Sequence, residues 1–165
     1  MKDQLALYRI EDKLFRRLPQ MDFVEGGELA SFLERKGQHV AELMFSGAAS
    51  GDILAALTTI TGTPLNGLMG QSGLGVGPGG PLTFCAHIPP DVLKICIDAL
   101  AEAQRDFGQA GDPDPNVRER AQRLDQLAAR FGIGARLPSQ LLEIQKFLER
   151  GRTGPGALVS VYTRW

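Results

Sequence analysis

The middle of the chain contains a long stretch without Asp, Glu, Lys or Arg, from Ile53 to Pro90. Charged residues make up 22% of the chain, so about eight would be expected in a stretch of this length. Eight glycines fall between Gly62 and Gly80, and Cys85 and His87 are the only titratable side chains in the stretch. Solvated surfaces are normally rich in charge. The stretch must therefore pack inside the fold or form a neutral surface that another molecule covers.

The overall composition is that of one globular domain. With 165 residues, of which 43% are hydrophobic, the chain can bury a core without disulfides or metal. We therefore expect a single domain over residues 1–165, with a glycine-rich uncharged loop at 62–80.

Charge and hydropathy exclude several kinds of partner. The net charge of −1 gives no basic excess for a nucleic-acid backbone, so we expect no nucleic-acid partner. The N-terminal segment lacks the apolar core of a signal peptide. The longest apolar run, Ile53–Ile60, is far shorter than a membrane span. These features predict a cytoplasmic protein without a membrane partner.

The spacing of apolar residues predicts a mainly helical α+β domain. Strands are predicted at Leu5–Ile10, at Leu82–Ile88 and in the closing segment GALVSVYTRW, and we expect the two terminal strands to pair in one small sheet. Helices are predicted at about Glu11–Leu18, Glu28–Lys36, Gln38–Phe45, Ser50–Ile60, Pro90–Phe107, Pro115–Phe131 and, capped by Ser139, Gln140–Arg150. Within Pro90–Phe107 the expected buried stripe is Val92, Leu93, Cys96, Leu100, Ala103 and Phe107.

The glycine-rich loop does not match a nucleotide-binding motif. No Lys follows its glycines as in a Walker loop, and the spacing of Gly70, Gly73, Gly75 and Gly77 differs from a dinucleotide fingerprint. Both motifs also require a strand before the loop and a helix after it. The loop is therefore either a structural turn region or a binding surface. Its candidate residues for contact with a partner or ligand are Asn66, Gln71, Ser72 and Leu74.

The histidines and cysteines give no catalytic or metal-binding constellation. His87 and Cys85 are neighbours on one strand face, a geometry that rarely forms a nucleophile–base pair. His39 and Glu42 form a single His-x-x-Glu pair without a second pair to complete a metal site. We expect both cysteines to be buried free thiols. No catalytic residue, metal ligand or cofactor is assigned.

Four segments carry a family resemblance: LALYRIEDKLFRRL at the start, KGQHVAELMFSG (Lys36–Gly47), HIPPDVLKICIDALAEA (His87–Ala103) and LLEIQKFLERGRTGPGALVSVY (Leu141–Tyr162). Their order resembles the YfbM-like family of uncharacterised bacterial proteins. The resemblance covers most of the chain and implies an α/β fold with a cleft. It implies no established activity and transfers no catalytic residue. It also implies a setting near bacterial toxin systems, in which related small domains act as immunity proteins.

These observations leave three hypotheses of function. The first is a non-enzymatic interaction domain whose partner is a toxin or effector that it binds and blocks, as an immunity protein does. The second is a small ligand-binding protein or enzyme with a cleft lined by the glycine-rich loop, in which His39, His87 and Asp91 supply polar groups. The third is a housekeeping domain that self-associates through Gly62–Gly80. The sequence does not define the oligomeric state.

Overall fold

The computed structural model describes residues 2–18, 26–46, 50–69, 82–132 and 136–164. Within these ranges the chain forms one antiparallel sheet of four strands, in the order β2-β1-β4-β3. The strands are β1 (Lys2–Ile10), β2 (Gln38–Ser46), β3 (Leu82–His87) and β4 (Ala157–Arg164). The predicted pairing of the terminal strands is confirmed, because β1 and β4 are central neighbours.

Six α-helices and one short 3-10 helix accompany the sheet in the described part of the chain. The helices are α1 (Asp12–Arg17), α2 (Gly26–Lys36), α3 (Ser50–Thr61), α4 (Pro90–Asp106), α5 (Pro115–Arg130) and α6 (Leu137–Arg150). The 3-10 helix is Leu65–Met69. The α+β class with more helix than strand is as predicted. No helix among the described residues is both long and apolar enough to cross a lipid bilayer.

The sheet is covered by helices on both faces. Alternate residues of β1 enter two different cores, which explains why LALYRI lacks the apolar–polar alternation of a sheet with one wet face. Leu5 and Leu7 belong to the larger core, which they share with α3, α4, α5 and α6. Tyr8 and Ile10 belong to a smaller core under α1 and α2. The domain therefore has three layers: helices, sheet, helices.

The predicted helix at Gln38–Phe45 is wrong, because this segment is strand β2. Leu7 pairs with Ala41 and Tyr8 with His39, so Val40 is an extra residue in β2 that forms a bulge. A bulge breaks the two-residue period of a strand. The resulting spacing of apolar residues resembles that of a helix.

The last helix begins earlier than predicted. Helix α6 starts at Leu137 and its N-cap residue is Arg136, so Ser139 lies inside the first turn and is not the cap. Pro138 is accommodated there because the first turn of a helix does not use the backbone N–H that proline lacks.

Part of the uncharged stretch that the structure describes is packed inside the fold. Leu54 and Leu57 of α3 are buried in the larger core, as are Leu65 and Leu68 of the 3-10 helix. The Ser160 hydroxyl of β4, itself fully buried, donates a hydrogen bond of 2.7 Å to the carbonyl oxygen of Leu68. The start of the predicted loop is therefore a 3-10 helix fixed to the sheet. Residues 70–81 lie outside the described residues.

Candidate functional site

A cavity of about 520 Å³ lies at the end of the sheet where β1 and β3 finish and β4 begins. Helix α1 and the first turn of α4 flank it, and the connection between α6 and β4 closes one side. Its position follows from the topology, because β1 and β3 run in the same direction on either side of β4. Elements far apart in the sequence thus meet at one edge.

The charges around this cavity are unevenly distributed. The positive side chains among the described lining residues are Arg9, Arg16, Lys94 and Arg152. They face one carboxylate, that of Asp12, so the lining carries a net charge of +3 with His87 neutral. The whole chain has a net charge of −1. The positive excess is therefore local to the cavity.

Arg9 is held in place by backbone carbonyls. Its Nη1 donates to the carbonyl oxygen of Gly156 at 2.9 Å, and its Nη2 donates to that of Gly151. Its Nε is buried and has no hydrogen-bond partner among the described residues. A buried donor without an acceptor is energetically costly. Because its two protein partners are carbonyl groups, its positive charge remains available to a ligand.

The segment Gly151–Gly156, with sequence GRTGPG, forms the support for Arg9. Gly156 has a φ of 85°, and a Cβ at this position would collide with the carbonyl oxygen of Ile10. Only glycine tolerates both conditions. The glycines of this segment thus let the backbone approach β1 closely enough to bind the guanidinium.

The other three cations of the cavity are exposed. Within the described part of the chain, Arg16, Lys94 and Arg152 form no ion pair. Two arginines of α5 provide a contrast. Arg120 pairs with Asp106 at 2.7 Å, and Arg123 pairs with Glu119 at 3.0 Å. The cavity therefore keeps a net positive charge, whereas these two arginines are neutralised within the protein.

His87 ends β3, and its side chain lines the cavity. Its ring lies against that of Phe15, with 4.4 Å between centroids and 40° between planes. Burial lowers the pKa of His87, and the negative charge of Asp12 partly opposes this shift. The imidazole is therefore neutral near pH 7, with one nitrogen as donor and the other as acceptor.

Both cysteines are buried free thiols, as predicted. Burial raises the pKa of Cys85 to about 12 and that of Cys96 to about 11. Both are therefore protonated at neutral pH and are poor nucleophiles. The arrangement does not support a Cys85–His87 catalytic pair.

The remaining predicted site residues do not join His87. His39 lies exposed on β2, with its Nε2 3.6 Å from Oε2 of Glu42 and its ring against that of Tyr8. Asp91 is exposed in the first turn of α4 and does not line the cavity.

The predicted residues of the glycine-rich loop also lie elsewhere. Asn66 is in the 3-10 helix, where its backbone N–H donates to Oγ1 of Thr58 at 2.9 Å. Gln71, Ser72 and Leu74 lie outside the described residues. In the described ranges, no group of three or more His, Cys, Asp or Glu side chains is placed to hold a metal ion.

Sequence reasoning did not find the cationic residues of the cavity. They come from four separate segments, and each alone reads as an ordinary surface charge. The one local signal was GRTGPG before the last strand, where three glycines in six residues indicate a tight approach of the backbone.

Comparison with known proteins finds no matching family model, no matching curated protein and no matching solved structure. What the fold defines is a three-layer α+β domain with a cationic cavity at one end of its sheet. The resemblance to the YfbM-like family and the immunity hypothesis remain predictions.

Proposed function

We propose that the protein binds a small anionic molecule in the cavity at the end of the sheet. The observation that carries this proposal is the net charge of +3 on the cavity lining of a chain whose own net charge is −1. Like charges brought together without counter-charges repel one another and weaken the fold. A bound anion would neutralise this cluster and remove the repulsion between its positive charges.

The dimensions of the cavity support a small molecule as the ligand. Its volume of about 520 Å³ is within the range of ligand pockets, about 300–1,000 Å³. A nucleic-acid backbone, in contrast, is bound along an extended basic surface. The ligand is therefore expected to enter a concave site and to be largely surrounded.

Arg9 supports the proposal because it is pre-organised. Two carbonyl groups fix its guanidinium, so little side-chain entropy is lost when a ligand binds. Arg16, Lys94 and Arg152 are exposed and can adjust to the anion. One fixed cation and three adjustable ones suit an oxyanion with more than one negative charge.

The test is calorimetric titration with inorganic pyrophosphate. The double variant Lys94→Gln/Arg152→Gln removes two cavity charges from exposed positions, so the fold should be retained. We expect it to weaken pyrophosphate binding by about tenfold to hundredfold, because charge-assisted hydrogen bonds are lost. Wild-type affinity should also fall as the ionic strength increases.

The matched control is Arg105→Gln/Lys146→Gln, which removes the same charge from exposed positions that do not line the cavity. Its affinity should stay within about twofold of wild type, since distant exposed charges are screened. Absence of pyrophosphate binding, or an equal loss in the control, would refute the proposal.

The toxin-binding hypothesis is independent of this cavity. The uncharged surface on which it rests includes residues 70–81, which the structure does not describe. A stable one-to-one complex with a cognate toxin or effector would establish that function separately from the binding of small anions.

A further inference from the structure

The cavity has an apolar side as well as a cationic one. Phe15 of α1 and His87 form an aromatic pair in its lining, which also includes Ile88, Leu93 and Leu158. These three aliphatic residues are each 3% exposed and belong to the larger core, so they offer little surface to a ligand. Phe15 is only partly buried, so part of its ring remains available for contact.

An inorganic anion would use only the cationic groups of this site. Phosphate or sulfate can bind to guanidinium and ammonium groups, but it would leave the accessible part of the Phe15 ring in contact with water. Covering apolar surface is favourable. A ligand with both an anionic group and an apolar group would gain affinity from the cations and from the burial of apolar surface in the same cavity.

The aromatic pair favours a flat apolar group. The rings of Phe15 and His87 lie 4.4 Å apart between centroids, and aromatic groups add favourably to such pairs in offset or edge contacts. His87 can also bind a ligand oxygen at the boundary between the apolar and cationic sides.

We infer that the ligand is an aromatic organic anion of at least two negative charges, such as an aryl phosphate. Its anionic group binds Arg9, Arg16, Lys94 and Arg152, and its ring lies against Phe15. This inference rests on the proposed anion-binding function. It adds that the apolar part of the ligand contributes to affinity and selectivity.

The test compares three ligands by calorimetry with the wild-type protein: phenyl phosphate, glycerol 3-phosphate and inorganic phosphate. All three contain phosphate. It carries an apolar phenyl group in the first, a polar glycerol group in the second and no organic group in the third. We expect phenyl phosphate to bind about tenfold to hundredfold more tightly than the other two, because only its body buries apolar area. Glycerol 3-phosphate controls for size, since its body is polar.

Variants at position 15 locate the preference in the cavity. Phe15→Ala should reduce the advantage of phenyl phosphate to about threefold or less while inorganic phosphate affinity stays within about twofold of wild type. Phe15→Leu keeps an apolar side chain and should retain the fold if the alanine variant unfolds. It should lose part of the advantage, because the aromatic contact is removed.

The outcomes separate this inference from the proposed function. Equal affinity for the three phosphates would overturn the inference and leave anion binding intact. A preference for phenyl phosphate that persists in Phe15→Leu and Phe15→Ala would also overturn it. If neither these phosphates nor pyrophosphate bind, the proposed function itself fails.

Discussion

At the scale of single residues, His87 has the most informative surroundings. Among the candidate binding residues that the structure describes, it is the one that lines the cavity. Around it are the carboxylate of Asp12, the ring of Phe15 and the cations of the cavity. Burial lowers the pKa of its imidazole, against the opposing effect of Asp12. In the ligand-free protein near pH 7 it is therefore neutral, and its protonation at lower pH would add a further positive charge to the site.

This arrangement predicts that anion affinity rises as the pH falls. A bound anion favours the imidazolium, so the pKa of His87 is higher in the complex than in the free protein. The gain in affinity therefore starts as the pH drops through the pKa of the complex, and it is complete below the lowered pKa of the free protein. Sulfate is a suitable ligand because its own charge is constant over this range.

Calorimetric titration with sulfate should show an increase of about threefold to tenfold between about pH 7.5 and about pH 5.5. His87→Gln should abolish the increase. His39→Gln is the matched control, since His39 is exposed on β2 and does not line the cavity. An unchanged pH profile in His87→Gln would disprove the assignment.

At the scale of elements, the predictable helices are those with a regular apolar stripe. In α4, Leu93, Cys96, Leu100 and Ala103 are buried as the spacing predicts. Val92 and Phe107, the other members of the predicted stripe, are only partly buried against the same core. The segment of β2 was not predictable from its own residues, because its bulge at Val40 exists only through pairing with β1. The spacing of apolar residues thus identifies a helix or strand when that spacing is regular along the whole element. It fails where a tertiary contact, such as the pairing that forms a bulge, makes the spacing irregular.

The contact between α4 and α5 allows a prediction about stability. Asp106 of α4 is 6% exposed, and its Oδ2 accepts a hydrogen bond of 2.7 Å from Nε of Arg120. This hydrogen bond is the main cause of the raised pKa of Arg120. Arg120→Ala would leave a buried carboxylate without its partner. We expect the free energy of unfolding to decrease by about 1–3 kcal/mol.

Arg123→Ala is the control on the same helix, because the pair of Arg123 with Glu119 is exposed. Exposed pairs contribute little, so the change should be below about 1 kcal/mol. Urea unfolding of both variants measures the difference. Equal effects of the two substitutions would show that the burial of Asp106 has no energetic consequence.

At the scale of the whole molecule, the topology brings residues from separate segments together in the sheet and in the cationic cavity. The two terminal strands pair as predicted, so the centre of the sheet was predictable. The cavity was not, since Arg9, Arg16, Lys94 and Arg152 meet only after β1, β3 and β4 are aligned and α1 and α4 have packed. The spacing of residues in the sequence indicates which side chains share a face of one helix or strand. This site instead depends on contacts between five separate helices and strands.

The two cores share the strands of one sheet, and this predicts cooperative unfolding. On β1, Leu7 enters the larger core and the adjacent Tyr8 enters the smaller one. If the sheet unfolds, both cores therefore lose the strand residues that they contain. The helices of both layers should therefore unfold together with the sheet, in one two-state transition.

Matched leucine truncations test this coupling. Leu100 in the larger core and Leu33 in the smaller core are both fully buried, so each Leu→Ala substitution should cost about 2–5 kcal/mol. In each variant, urea unfolding followed by circular dichroism at 222 nm should give one transition that coincides with the loss of amide protection in β1 and β4. A separate early transition in Leu33→Ala, with the amides of β1 still protected, would mean that α1 and α2 unfold independently. Alternate β1 residues belong to both cores, so we predict that the three layers unfold as one cooperative unit. That result would contradict this prediction.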